Sequence, residues 1–404
     1  MIRRIALLVL VLWSSVHFGS SLEAQPQPGD FVVGEWGGLL SIARTSGRLT
    51  TISSTQLTEL LVLPGQREVV GTNVSWRRVE RVDLATGVST PLATLGPNHT
   101  NLGGVELDQD GSLLFAADTD LYRLRGSVAT LIASVPPVSA AISGILRDID
   151  TGDYLALGVL IGAPYLYRID RATKTVTTVA AVGFGTLADQ DQRTGNVWVT
   201  QHFSAWGDPL LEIDPRQGRV LTSIALSGKG YAVVDQPTSD VFVAVQDRII
   251  RYTRSGTPVR TWGPYYGRYF RDLRVVGARR LSGSGAARPG ATYALSLRFL
   301  GLSAVPYSVA LSFGGARPGI PIPGTGQRVN IAVDGLFLLT ANGALPGLTS
   351  GFSGTLDANG EATATFRIPL GMPLGVVNTA AAVAFDPASP GGIAVAPSIS
   401  VVVE

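Results

Sequence analysis

A stretch of apolar residues, a polar turn and a second apolar stretch recur six times between Leu39 and Trp262, and no other feature limits the fold so tightly. The copies run from Leu39 to Ile52, Val79 to Leu92, Leu121 to Leu131, Leu166 to Val179, Leu210 to Ile224 and Ile249 to Trp262. Their turns centre on Gly47, Gly87, Gly126, Lys174, Gly218 and Gly256, successive positions 40, 39, 48, 44 and 38 residues apart. A period near 40 is that of a four-stranded propeller blade. A second half-unit recurs in register with the first, from Gly104, Gly144 to Leu157, Gly185 to Thr200 and Gly230 to Val245, with a degenerate copy from Glu59 to Val70. In each, an apolar strand meets an Asp- or Gly-bearing turn and a second strand follows, because those residues tolerate hairpin backbone angles.

The halves do not pair off at the ends. Asp30 to Gly34 reads as a second strand with no first strand before it, and Arg271 to Val276 as a first strand with no second after it. The two fragments complete one blade if the chain closes on itself, which removes two exposed sheet edges. The expected fold is therefore all-β: a six-bladed β-propeller over residues 30–277, sewn shut by both of its termini. Ser282 to Gly285 marks a linker over 278–290. Beyond it the composition turns to Ala, Gly, Pro and Ser, and apolar runs at 292–300, 307–313, 329–339, 362–368, 380–385 and 399–403 predict a β-sandwich over 291–404. Residues 354–366 are expected as a hairpin tipped by Asn359-Gly360.

Arg3 and Arg4 precede an apolar run from Ile5 to Trp13, too short to span a bilayer, and Ala24 offers a small residue at a cleavage point. Residues 1–24 are expected to be a signal peptide, and the chain to be secreted or periplasmic with no membrane span once processed. Losing Arg3, Arg4 and Glu23 lowers the net charge from +2 to +1, which excludes electrostatic capture of nucleic acid. With no cysteine, an exported chain must draw its stability from buried area rather than disulfides. It is expected to be a monomer.

The repeat in Asp191 to Val199, with its Gly195-Asn-Val-Trp-Val, followed by Leu210 to Val220, with its Ile213-Asp214 and Gly218, resembles the six-bladed propellers of the bacterial NHL and YVTN type. The resemblance covers about 250 residues and implies the fold. Such propellers include binding modules, lyases and lactonases, so it implies no single activity. The C-terminal segment looks like a small domain of secreted proteins from environmental bacteria.

In this strand order, the loops between second and third strands share a face with the connections between blades. That face collects Trp36, Trp76, His99, His202, Trp206, Tyr266 and Arg268. Aromatic rings there offer stacking surfaces to a glycan, a peptide or a protein partner. The alternative is an extracellular lyase or lactonase-like hydrolase at the same mouth, with His202 as general base and Glu35 or Asp272 orienting a metal or substrate. A structural cell-surface component is the third reading. The metal set of lactonase-like propellers does not map onto this chain, and His202 lacks the partner motif of the streptogramin-lyase type. The acidic turn Asp148, Asp150, Asp153 has the alternating carboxylates of a calcium loop without its distal glutamate, so calcium is the one cofactor considered and none is expected.

Overall fold

The computed structural model describes residues 25–63, 67–136, 141–159, 164–202, 208–236, 238–277, 279–325 and 327–404. Five four-stranded antiparallel sheets follow one another as meanders over 58–94, 102–134, 141–181, 185–224 and 230–262. A sixth joins Phe31–Glu35, Gly38–Ile42 and Leu49–Ser53 to the distant strand Phe270–Val275. In that pairing Phe31 lies opposite Val275, Val32 opposite Arg274 and Val33 opposite Leu273.

The first strands of the sheets, Thr58–Val62, Leu102–Leu107, Ala141–Arg147, Gly185–Gln190, Gly230–Asp235 and Phe270–Val275, touch one another in that order, and the last touches the first. The fourth strands face outward and are largely exposed, as in Arg219–Ile224 and Pro258–Trp262. Each junction between neighbouring sheets has its own apolar cluster. Where the sheet built from both ends of the propeller meets 230–262, Phe31 is edge-on to both Phe242 and Trp262 at 5.1 Å.

All six turn positions that set the repeat take left-handed backbone angles, φ running from 59° at Gly126 to 90° at Gly256, and Lys174 does so at 62° despite its side chain. Two of them also permit close packing between sheets. A methyl group on Gly87 would stand 2.1 Å from the Ile52 carbonyl oxygen, and one on Gly218 2.1 Å from that of Val179.

In the C-terminal region, Arg279–Ser284, Thr292–Phe299, Glu361–Arg367 and Thr349–Ser350 form one sheet. Ser353–Thr355, Pro306–Ser312, Val377–Ala384, Ala394–Val395 and Ile399–Val402 form the other. Both sheets contribute to one core around Tyr293, Leu295, Phe299, Val309, Phe366 and Val401.

Three expectations are corrected here. Most of the Ser-Gly stretch taken as a linker is the strand Arg279–Ser284, and Gly283 is there because a side chain would collide with the Tyr293 ring. The apolar run 329–339 begins in a two-stranded ribbon, Arg328–Val329 against Ile320–Pro321, and then enters the helix Gly335–Ala341, whose N-terminus is capped by Asp334 accepting from Phe337 N at 2.8 Å. The arms of the supposed 354–366 hairpin belong to opposite sheets, so the Asp357–Gly360 turn crosses the sandwich edge.

The sandwich is fastened to the turns between first and second strands. The Gln109 side-chain amide exchanges two hydrogen bonds with the Val402 backbone, at 2.8 and 2.7 Å, and Gln192 does the same at Ser398. Arg171 bridges Asp108 of one such turn and Glu404, the latter at 2.6 Å. Tyr293 donates its phenol proton to the Gln109 carbonyl.

Two outcomes follow from these contacts. Gly87→Ala and Gly218→Ala each add backbone strain and an inter-sheet clash, and should lower stability by about 1–3 kcal/mol in urea unfolding. Arg171→Ala leaves the buried Asp108 with Arg123 as its remaining ion-pair partner, at 2.6 Å. It should cost about 3 kcal/mol and speed proteolysis between the two domains.

Candidate functional site

The face bearing the loops between second and third strands is built on short, fixed turns. Trp36 sits at the turn between Phe31–Glu35 and Gly38–Ile42, 61% exposed, with the Arg271 guanidinium 3.8 Å above its ring. Beside it the buried Glu35 carboxylate is ion-paired with Arg268. A side chain on Gly37 would stand 2.9 Å from that carboxylate, so the turn folds closely over it. Trp76 is 66% exposed in the equivalent turn of the next sheet, its backbone N–H held by Asn73 Oδ1 at 3.2 Å. Tyr266 and Tyr269, 85% and 66% exposed, stand in the connection to Phe270–Val275. Trp206 lies outside the described residues.

The two histidines are engaged within the protein. His99 Nδ1 is 3.0 Å from Asp118 Oδ2, and the other carboxylate oxygen of Asp118 accepts from Asn101 N and Thr100 N, so the pair ties a connection between sheets to a neighbouring turn. His202 is 4% exposed. Its Nε2 lies 3.1 Å from the Gly230 carbonyl oxygen and 3.4 Å from Thr200 Oγ1, and the ring packs 5.6 Å from Tyr231. A carbonyl only accepts, so Nε2 carries the proton. This corrects the expectation of His202 as a general base facing an open mouth: the imidazole is buried, and burial pushes it down to about 4.

Glu35 and Asp272 are likewise committed. Asp272 accepts from Leu60 N and from Leu273 N, the latter at 2.6 Å, and lies 3.3 Å from Arg274. It thereby joins Phe270–Val275 to Thr58–Val62, a strand bulged at Glu59, where φ is 52°.

Sequence reasoning placed Arg271 on this face but missed the residues grouped with it. Glu59, Lys229, Tyr231 and Arg271 come from the starts of three first strands and form one electrostatic group. Burial is the main force holding the Glu59 carboxyl well above its usual range; nearby Asp272 adds to it, while Arg274 and Lys229 oppose it. Burial and the neighbouring Arg271 lower the Lys229 ammonium, which lies 5.5 Å from the Tyr231 ring centre. Comparing polar residues at matching positions of the first strands would have set Glu59 beside Asp272, which was already a candidate.

The acidic turn is engaged by arginines. Arg168 sits 2.7 Å from Asp148 and 3.2 Å from Asp153, and Arg317 of the sandwich pairs with Asp150. Guanidinium groups therefore hold the positions that calcium would need. Among the described residues, no cluster of three or more His, Cys, Asp or Glu has metal-binding geometry.

This fold and its loop face define a β-propeller resembling NHL-type proteins. No family model matches the chain, and no curated protein sequence does. Among solved structures, a chain of a nidogen/laminin complex is similar over 60% of this chain and 97% of its own, at TM-score 0.50 and 12% identity. A putative gluconolactonase covers 60% of this chain and 86% of its own, at TM-score 0.44 and 15% identity. TolB from Acinetobacter baumannii covers 62% and 69%, at TM-score 0.44 and 16% identity. At such identities the likeness is one of fold.

The buried His202 generates a pH signature. Its folded pKa lies below the unfolded value, so the unfolded chain takes up a proton that the folded chain refuses. Stability is thus lost as pH falls from about 6.5 to about 4, by about 3 kcal/mol. Buried carboxyls with raised values, such as Glu59, act in the opposite sense. The His202 contribution is therefore the difference between the native protein and His202→Gln in urea unfolding at pH 7 and pH 4, and His202→Gln should lose less on acidification.

Proposed function

We propose that the protein is an exported, non-enzymatic binding protein that recognises a carbohydrate through the aromatic rim of a six-bladed propeller. The ring is closed by the pairing of its first and last strands, and residues 1–24 serve as the export signal. The observation that carries this reading is the exposure of Trp36, Trp76, Tyr266 and Tyr269 on one loop face, with Arg271 stacked on Trp36 and Arg268 locked to a buried carboxylate. Flat rings on fixed turns offer stacking faces to sugar rings at little entropic cost. Arginines among them supply donors to hydroxyl groups.

A lyase or lactonase at this mouth would need a base other than His202, whose ring is directed to the Gly230 carbonyl. A structural surface component would leave the rim without a ligand. A glycan array on the purified protein separates the readings. Binding should appear on the array, and Trp36→Ala and Trp76→Ala should each weaken it about tenfold without changing the unfolding midpoint. Binding indifferent to both changes sinks the rim. A silent glycan array with capture on a peptide array moves the ligand to a peptide or protein partner.

A further inference from the structure

At the opposite end of the first strands, between the propeller and the sandwich, lies a chamber of about 680 Å³. That is within the range of small-molecule pockets. The propeller contributes Glu106, Arg147 and Asp189, all at the far ends of first strands. The sandwich contributes Arg280, Asn330 and the segment 395–399.

Part of this lining is already engaged. Arg280 donates to the Val62 carbonyl at 2.6 Å, and Asp189 accepts from Val234 N at 2.9 Å and Gln190 N at 2.8 Å. The rest is not. Among the described residues, only one oxygen of Glu106 accepts a hydrogen bond, from Leu107 N at 2.7 Å. Neither the Arg147 guanidinium nor the Asn330 amide forms a hydrogen bond or ion pair with any described residue, although Asn330 is only 8% exposed. Sheltered polar groups of this kind ordinarily find partners, and a permanently charged guanidinium gains most from a bidentate oxyanion.

The electrostatics favour an anion. Burial raises both Glu106 and Asp189 toward their neutral forms, while Arg147 and Arg280 supply positive charge, and burial takes Arg280 down only to about 10. A carboxylate opposite Arg147 would still leave Glu106 and Asn330 to be satisfied. Hydroxyl or ammonium groups on the same ligand meet that need.

We propose that this chamber is a second binding site, separate from the aromatic rim, for a small carboxylate bearing hydroxyl or ammonium donors. Arg147 takes the carboxylate, and Glu106 and Asn330 take the donors. The sandwich forms the roof of the site, and its clamps at Gln109, Gln192 and Arg171 hold the roof in place. Sugar acids and amino acids share the required chemistry.

The test is calorimetric titration of the purified protein with gluconate, glucuronate, glutamate and serine, and with glucitol as the polyol lacking a carboxylate. At least one acid should bind and raise the melting midpoint, and glucitol should not. Arg147→Gln and Asn330→Ala should each weaken binding tenfold or more with the circular dichroism spectrum unchanged. Should Arg147→Gln fail to fold, Asn330→Ala carries the test. Binding confined to gluconate and glucuronate assigns a sugar acid, and binding confined to glutamate and serine an amino acid. The site is overturned if none of the four acids binds, if glucitol binds equally, or if binding survives the chamber substitutions. Trp36→Ala should leave this binding intact, so the rim and the chamber stand or fall separately.

Discussion

The pairing of Phe31–Glu35 with Phe270–Val275 is the contact on which the rest of the structure leans. Every other four-stranded sheet of the propeller is a local meander that can form from neighbouring sequence. This one joins segments some 240 residues apart, and its Phe31 completes a cluster with Phe242 and Trp262 of the adjoining sheet. Burying that side chain is worth about 2–3 kcal/mol, and the pairing also satisfies two rows of backbone groups that would otherwise be open edges. Loop-closure entropy must be met before such distant partners gain anything, so the seam forms late and couples the sheets into one cooperative unit. The six junction clusters make the same point from the other side. Each sheet is stabilised by two neighbours, and an open seam would strip one neighbour from each of two sheets.

Turns between first and second strands have a second duty, and it explains their acidity. Asp108 is fully enclosed and holds Arg123, Arg171 and the Tyr154 hydroxyl, the last at 3.1 Å. Carboxylates so deeply buried need multiple partners to offset lost hydration. Arg171 then reaches Glu404, while Gln109 and Gln192 read the backbone at Val402 and Ser398 much as a neighbouring strand would. The sandwich therefore meets a prepared surface. Its attachment is polar and directional, with two glutamines whose donor and acceptor are both used.

Much of the propeller was legible because its periodic residues answer to backbone geometry. Five of the six turn positions are glycine for a reason that does not depend on neighbours, since left-handed angles are easiest without a Cβ, and Lys174 kept its place in the spacing despite its different side chain. The sandwich was less legible where local composition and tertiary context disagreed. Gly283 looked like a hinge, yet it lies in a strand that makes room for Tyr293. Residues 335–339 carried no alternation, and the helix there rests on the Asp334 cap, which also accepts from Ser312 and Gly314, and on the packing of Leu336 and Phe337. For the mouth, placing residues on a face was within reach of the strand order, but their commitments were not. That His202 would turn to Gly230, or Glu35 to Arg268, depends on partners 28 and 233 residues away. Glu59 escaped notice because it stands in the most degenerate repeat, at a bulge whose form is set by Asp272 on the far side of the seam.

The two ends of the first strands differ in kind. At the loop face, Arg268 is ion-paired with Glu35, Arg271 is stacked on Trp36, and large aromatic side chains are exposed beside them. Because those partners fix the loop, an incoming ring meets side chains already in position, and little ordering entropy is left to offset affinity. At the sandwich end the balance is reversed. The walls are close-packed strand ends, and the unsatisfied groups are a guanidinium, an amide and half a carboxyl. A flat hydrophobic stacking surface and a confined polar chamber suit unlike chemistries, so the two sites proposed above would stand apart on one axial scaffold by the length of its strands.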